Sequence, residues 1–365
     1  MNVFMHPLLG ATPWALLRTA TSNKTRPTVH FLPKFVFVLA VNVLNLPFII
    51  LEELYLALFK RRGNQTAPIF IIGHPRTGTT HLQQVLSDDP QFFTPQLYQI
   101  LFPNYSNTFA RLLNLLIFPF FPKTRPQDNV ELGLEKPQEE EFALAATSGL
   151  SFINAFYFPK KFRSIINQAV LFENPRDKRR WQRSLSRFVR SINRSGKTLI
   201  LKSPANMARI DAILELFPGA KFIHIQRDSS KTFQSTLHLF EQVLPQTSFQ
   251  MLREEEMVDN AFFMFETFYT AYRRQSARLD ANQLLEVSHE GFTKNPDEEL
   301  AKIYSFMGKN RPPIGSRLTD YKNYQKNNHK PLPNYLVKRL RDVEEKIAAE
   351  TYGKSTHTPV AEKVA

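Results

Sequence analysis

From residue 67 onward, short apolar runs alternate with stretches whose apolar positions recur every three or four residues. Ala67–Ile72, Thr198–Leu201, Ala220–Ile225 and Leu284–Val287 are the runs. Their length and their Ile, Phe, Leu and Val content predict strands buried on both faces. Between them the period changes. Ala205–Phe217 carries Ile210, Ile213, Leu214 and Phe217 at i, i+3, i+4 and i+7, the spacing of one helical face. Pro296–Phe306 puts Leu300, Ile303 and Tyr304 on one face behind a proline suited to a first turn. Thr79–Leu86 and Ser229–Leu244 also read as helices. Strands alternating with helices predict an α/β fold with a parallel sheet flanked by helices.

Two regions depart from this rhythm. Residues 88–196 hold an apolar stretch (Leu112–Phe121), an acidic cluster (Glu135–Glu141) and a basic segment (Arg176–Arg194). They read as a helical insertion that builds one wall of a cleft, with the basic segment as a solvated helix face. Near the N-terminus, Phe35–Phe59 is the most apolar segment of the chain and ends in Lys60-Arg61-Arg62. It is long enough to span a bilayer, but Asn42, Asn45, Pro47, Glu52 and Glu53 make a span costly. A helix lying in the membrane interface, a hairpin docked on the protein and a buried soluble helix all fit the same residues. The expected organisation is an extension over 1–66, a main domain over 67–353 and a disordered polar tail over 354–365.

Composition narrows the chemistry. The net charge is +14, so anionic partners are favoured. There is no Cys, which excludes disulfides, thiolate catalysis and Cys-ligated zinc. The apolar turns of the N-terminus lack a signal peptide's charged start and cleavage site. The expectation is a cytoplasmic protein, peripheral to or anchored at a membrane. Lys and Arg are scattered without aromatic interleaving, so nucleic acid is not the expected partner.

The strongest local signal is IFIIGHPRTGTTHL, residues 69–82. A buried strand enters a turn bounded by Gly73 and Gly78 and leaves as a helix. That layout aims backbone N–H groups and a helix N-terminus at one spot, which suits phosphate. The spacing is that of a Walker A loop, except that Thr79 stands where such a loop has Lys. The loop's cation is Arg76 instead. An ATPase or kinase is thereby disfavoured, while a phosphate loop for another donor remains. A second element covers residues 198–235, TLILKSPANMARIDAILELFPGAKFIHIQRDSSKTFQS. Its two strands deliver Lys202 and Arg227 at their C-terminal ends, where open α/β sheets bind ligands. Ser235 adds a hydroxyl from the following helix.

With these pieces the chain resembles the sulfotransferase superfamily, in particular the bacterial-type branch with a P-R-T-G-T-T loop. The matching segments are GHPRTGTTHL (73–82), LKSPANMARIDAILELFPGAKFIHIQRD (201–228), Ser235 and EVSHEGFTKNPDEELAKIYSFMG (286–308), with weaker likeness at EKPQEEEFAL (135–144). The resemblance implies transfer of a sulfuryl group from 3′-phosphoadenosine-5′-phosphosulfate (PAPS) to an acceptor hydroxyl or amine. It implies that Arg76, Thr77, Gly78, Thr79 and Thr80 hold the 5′-phosphosulfate, and that Arg227 and Ser235 hold the 3′-phosphate. Arg76 takes the place of a Lys found in many members, which keeps the charge and changes the donor geometry.

In-line sulfuryl transfer builds negative charge on the leaving oxygen, and Arg76 and Lys202 are the candidates to stabilise it. A divalent metal is not expected. The acceptor needs a general base. Cytosolic relatives use a His two residues after the Lys of the second element, and Pro204 stands there instead. Glu141 is the first candidate to replace it, Glu139 the second and His74 the third. Lys322, Lys326 and Lys330 are candidates to cover the 3′-phosphate. The apolar segments favour an apolar or membrane-associated acceptor. The alternatives are a nucleotide kinase with an atypical loop and a non-catalytic, membrane-associated nucleotide-binding protein. Oligomeric state is not legible.

Overall fold

The alternation from residue 67 builds one parallel sheet. The computed structural model describes residues 6–59, 67–117, 119, 124, 132–192, 196–312 and 331–352. The strands are β1 (Ile69–Ile72), β2 (Phe92–Phe93), β3 (Thr198–Lys202), β4 (Lys221–Gln226) and β5 (Leu284–Ser288), in spatial order β2-β3-β1-β4-β5. β1 is central: Ile69 lies opposite Ile200 of β3 and Lys221 of β4. Strand β2 arises inside the interval read as a helical insertion, pairing Phe92 with Thr198 and Phe93 with Leu199 at the sheet edge. Two residues are too short a run for a period-2 pattern to register.

Helices α1 (Pro13–Ser22), α2 (Leu32–Leu44) and α3 (Leu46–Phe59) precede the sheet, and α4 (Thr79–Ser87) follows β1. Between β2 and β3 come α5 (Leu97–Leu101), α6 (Ala110–Ile117), α7 (Glu140–Ser148), α8 (Asn154–Tyr157), α9 (Phe162–Ile166) and α10 (Pro175–Ile192). Then α11 (Ile210–Leu216) joins β3 to β4, and α12 (Ser229–Thr247) and α13 (Glu254–Ser276) join β4 to β5. The chain continues through α14 (His289–Lys294), α15 (Pro296–Met307) and α16 (Asn334–Tyr352). All four side chains of β1 are buried. Ile69 and Ile71 pack with Leu82 and Leu86 of α4 and Leu300 and Ile303 of α15, while Phe70 and Ile72 join the larger core on the other face. Cover on both faces is the reason this strand reads as an unbroken apolar run.

Helix α13 was not identified from the sequence, although Ala261, Met264, Phe265, Phe268, Ala271 and Tyr272 recur at helical spacing and are all buried on one face. The helix expected over Ala205–Phe217 is split into a 3₁₀ turn, Pro204–Ala208, and α11. Arg209 sits at the break, its guanidinium donating to the Ala169 carbonyl at 2.6 and 3.0 Å.

The N-terminal helices pack onto the larger core. Thr12 donates its N–H to Ala146 O at 2.9 Å, and Phe35 meets Phe249 edge-on at 5.3 Å. The polar residues of the apolar segment bind the body of the protein. Asn42 lies among the carbonyls of Leu8, Leu9 and Ala11, and Asn45 donates to Leu9 O at 2.7 Å. Glu52 accepts from Asn107 Nδ2 at 2.7 Å and Thr108 Oγ1 at 2.8 Å, and Glu53 pairs with Arg187. Among the described residues no single helix is long and apolar enough to cross a membrane. Val29–Leu44 and Leu46–Leu58 form one bent pair that passes on length and composition, broken by 40° at Asn45. Lys322, Lys326, Lys330 and the tail over 354–365 lie outside the described residues.

Candidate active site

The loop after β1 is built around two glycines. Gly73 has φ +151°, and a Cβ there would lie 2.7 Å from Thr77 Oγ1 and 2.8 Å from Ile225 O. Gly78 has φ +103° and a Cβ would come within 2.8 Å of His289 Cδ2. Arg76 adopts φ +74° although it carries a side chain, a strained state that persists where surrounding contacts hold it. The Thr77 N–H and hydroxyl both donate to His74 O, at 3.2 and 2.9 Å, and close the turn. Gly78 begins α4 without a side-chain cap, so the amides of the first turn suit an anion.

Three chain segments converge on this turn. Arg76 Nε donates to Ser235 Oγ at 3.0 Å, and Arg227 Nη1 donates to Arg76 O at 2.7 Å. Lys202 Nζ donates to Thr80 Oγ1 at 3.0 Å and pairs with Glu139. β3 and β4 flank β1, so the strand on each side delivers one cation to the loop of the strand between them. This is the rim where the chain, having gone out to β2 at the edge and come back to β3, crosses β1 to start β4.

The glutamates at the start of α7 separate by function. Glu139, the residue before the helix, reaches Lys202 Nζ. Glu140 is buried and accepts from Lys202 N at 3.0 Å and Asn206 Nδ2 at 2.7 Å. Burial, with the Glu141 carboxylate beside it, pushes Glu140 up to about 7. Glu141 is fully buried: Oε1 pairs with Arg209 and Oε2 accepts from Ser151 Oγ at 2.6 Å. Arg209 in turn lies over the Trp181 ring at 4.9 Å. Glu141 therefore cross-braces α7 to the 3₁₀ turn, while Glu139 is the carboxylate on the lysine. His74 is fully buried, stacked on Tyr269 at 5.6 Å with Nδ1 at 3.0 Å from Pro75 O. Burial pushes its imidazole down to about 3, so it packs as a neutral ring under α13.

Comparison with known proteins agrees with this geometry. The sulfotransferase family model matches residues 68–313, two thirds of the chain. The chain belongs to the sulfotransferase family. It is 30% identical over 317 residues to omega-hydroxy-beta-dihydromenaquinone-9 sulfotransferase Stf3 of Mycobacterium bovis, covering 82% of this chain and 80% of that protein. The same protein of Mycobacterium tuberculosis matches equally. Among solved structures, sulfotransferase STF1 of Mycobacterium tuberculosis H37Rv superposes with TM-score 0.63 at 17% identity, over 93% of this chain and 90% of that one. Sulfotransferase STF9 of Mycobacterium avium gives 0.65 at 16%, over 94% and 96%. The fold is shared with both, and the kinase reading is set aside.

As a sulfotransferase the protein takes its sulfuryl group from PAPS. The residues fit that donor: a turn closed tightly around two glycines at positive φ, a helix start without a side-chain cap, and three cations at one rim. Among the described residues no group of three or more His, Asp or Glu side chains is placed to hold a metal ion. Sequence reasoning missed the Thr80–Lys202 contact, the Glu140–Asn206 bond and the approach of His289 to Gly78. The Pro-Gln-Glu-Glu-Glu run signalled a functional helix start, but no pattern tells which strand end it will meet.

Proposed function

We propose that this sulfotransferase sulfates the hydroxyl of an apolar lipid acceptor of the menaquinone type. Glu139 serves as general base and Lys202 as the group that neutralises the leaving oxygen. The observation that carries the site assignment is the chain Glu139–Lys202–Thr80, beside the Arg76–Ser235 and Arg227–Arg76 contacts. In this reading the amides and side chains of Arg76 to Thr80 hold the 5′-phosphosulfate, and Arg227 and Ser235 hold the 3′-phosphate. The acceptor oxygen attacks sulfur as the sulfur–oxygen bond to the 5′-phosphate breaks. The acceptor proton passes to Glu139, and the products are a sulfate ester and adenosine 3′,5′-bisphosphate. Preorganised cations on the departing oxygen supply most of the rate, and the base contributes a further factor of about 10²–10⁴.

The acceptor class is supported by the Stf3 relative, whose name specifies a hydroxylated menaquinone. It is supported also by the exposed leucines and isoleucines of α2, α3 and α6. We place the enzyme on the cytoplasmic side of a membrane, held peripherally through 35–59. In that segment Asn42, Asn45 and Glu52 are buried against the protein, whereas Ile50, Leu51, Leu54 and Leu58 are exposed, with Glu53 among them held by Arg187.

The test is turnover of labelled PAPS with an ω-hydroxylated menaquinone in detergent, alongside thermal stabilisation by adenosine 3′,5′-bisphosphate and by ATP–magnesium. Transfer to the quinone alcohol with stabilisation by the bisphosphate is expected. Transfer to water-soluble phenols alone overturns the acceptor class.

A further inference from the structure

Helix α10 is the motif that the sulfuryl-transfer site does not use. One side, with Trp181, Leu185, Phe188, Val189 and Ile192, is buried in the core. The other carries Arg176, Arg179, Arg183, Arg187 and Arg190, all exposed. At 3.6 residues per turn these five fall within a sector of about 80° along roughly 21 Å of helix. Some basic side chains elsewhere on the surface are paired, Lys302 with Glu298, Arg339 with Asp259, Arg278 with Asp211 and Lys346 with Glu266, but none of these lies in a run of cations along one helix face. On α10, Arg187 pairs with Glu53, whereas Arg176, Arg179, Arg183 and Arg190 form no ion pair among the described residues. Four like charges on one helix face, left without counter-charges, have an anionic partner outside the molecule as their simplest complement.

The partner's chemistry follows from what lies beside the stripe. The Arg187–Glu53 pair ties α10 to α3. Glu53 is three residues from Ile50, so the two share a helix edge, and Ile50 leads into the exposed row Leu51, Leu54 and Leu58, each 47–66% exposed. At the other end of α10, Arg18 of α1 lies within reach of the Arg180 and Asp177 charges. Trp14, one turn before Arg18, is 57% exposed. A row of cations between an exposed tryptophan and an exposed leucine row matches a surface whose charge and hydrocarbon lie at adjacent depths. A nucleic-acid groove offers the charge without the hydrocarbon.

We infer that the arginine stripe of α10, flanked by the apolar edges of α1 and α3, is a docking surface for an anionic lipid bilayer. The inference rests on the peripheral membrane contact proposed above and adds lipid selectivity to it. It gives the enzyme a fixed orientation, with the α10 face toward the headgroups.

The experiment is flotation of the full-length protein with vesicles of phosphatidylcholine alone, and with one third phosphatidylglycerol, at low and near-physiological salt. Three proteins are compared: the parent, R179Q/R183Q/R190Q and I50Q/L54Q. None of these positions belongs to the sulfuryl-transfer site, so turnover of detergent-dispersed acceptor and the melting temperature report intact folding. The parent is expected to prefer the anionic vesicles and to lose that preference as salt rises. The arginine variant should lose about a hundredfold in partitioning, at about fivefold per charge near an anionic surface, while retaining weak binding to neutral vesicles. The leucine-edge variant should weaken on both. Equal parent binding to neutral and anionic vesicles, unchanged in the arginine variant, overturns the stripe while leaving membrane contact through 35–59 in place. No binding to either vesicle overturns both, with the acceptor class still judged by turnover in detergent. Displacement of the protein from vesicles by duplex DNA with tighter, arginine-dependent binding overturns it in favour of nucleic acid. A parent dimer that the arginine variant dissociates overturns it in favour of self-association.

Discussion

The chain starts two helices with three consecutive glutamates, and the two triplets have opposite fates. Glu254, Glu255 and Glu256 open α13 at the surface, where Glu256 accepts the Arg253 N–H at 3.0 Å and the other two are exposed. There they do what acids at a helix N-terminus ordinarily do, offsetting the dipole and capping the first turn. Glu139, Glu140 and Glu141 open α7 against the end of β3. Each reaches a different partner within one short segment: Lys202 Nζ, the Lys202 N–H with Asn206, and Arg209. Glu139 is extended and Glu140 and Glu141 are helical positions about 100° apart, so three adjacent carboxylates serve three directions. The difference teaches that an acidic helix start is neutral information until its surroundings are known. Water around the first triplet makes its members interchangeable, and burial of the second makes each one specific.

The comparison breaks or sharpens under substitution. The largest effect is expected at the reacting pair. Lys202→Met and Glu139→Gln should each lower kcat by about 10²–10³, the scale of one preorganised charge or one general base. The bisphosphate should still stabilise the Glu139→Gln protein in a thermal shift. An active Glu139→Gln enzyme with normal kcat would move the base elsewhere. Next comes Glu141→Ala, expected to cost about 3–5 kcal/mol in urea unfolding, because it leaves Arg209 buried and unpaired. Its turnover per folded molecule should fall far less than that of Glu139→Gln, and the reverse ranking would restore Glu141 as the catalytic residue.

A smaller, pH-dependent effect belongs to Glu140. Its carboxyl rises from 4.5 to about 7 on folding, so between those values the folded protein holds more protons than the unfolded chain. That contribution to stability is fully present below the unfolded value and is lost as pH rises through the folded one. Glu140→Gln should flatten this slope, read as the difference between variant and parent in unfolding free energy across that window. The buried histidines act in the opposite sense: His6 and His74, both pushed down to about 3 by burial, withdraw stability as pH falls below 6.5. Subtracting the parent curve removes their share. The smallest effect is expected for Glu254→Gln and Glu255→Gln, at most about 0.5 kcal/mol in stability and none in turnover. A large loss there would end the contrast between the triplets.

Much of the site was legible because its chemistry is local. Gly73 to Thr80 must turn from strand to helix within eight residues, and only certain residues permit that turn while leaving amides for a phosphate. Arg227 and Lys202 were legible as strand ends. The ranking of Glu139 against Glu141 was not. It depends on which glutamate faces β3, and the entry angle of α7 is set by packing on α1 and α5 rather than by its own residues. His74 was a candidate because it sits in the loop, yet its ring is turned beneath α13 and stacks on Tyr269. The polar residues of Phe35–Phe59 read as obstacles to a membrane span. The structure gives them another task, since Asn45 donates to the Leu9 carbonyl of the preceding N-terminal turn and Glu52 accepts from the Thr108 hydroxyl of the main domain.

Sequence alone determined the parallel sheet, the phosphate loop and the family to which they belong. Each is encoded in contiguous residues, by a period, a pair of glycines or a motif of known spacing. Tertiary structure alone decided which of three adjacent carboxylates touches the lysine, which histidine in the loop is sealed away, and that the basic helix α10 is tied to the apolar helix α3 through Arg187 and Glu53. Those facts rest on contacts between segments tens to hundreds of residues apart. They are set by how whole elements bury their apolar sides against one another, which no single window of sequence contains.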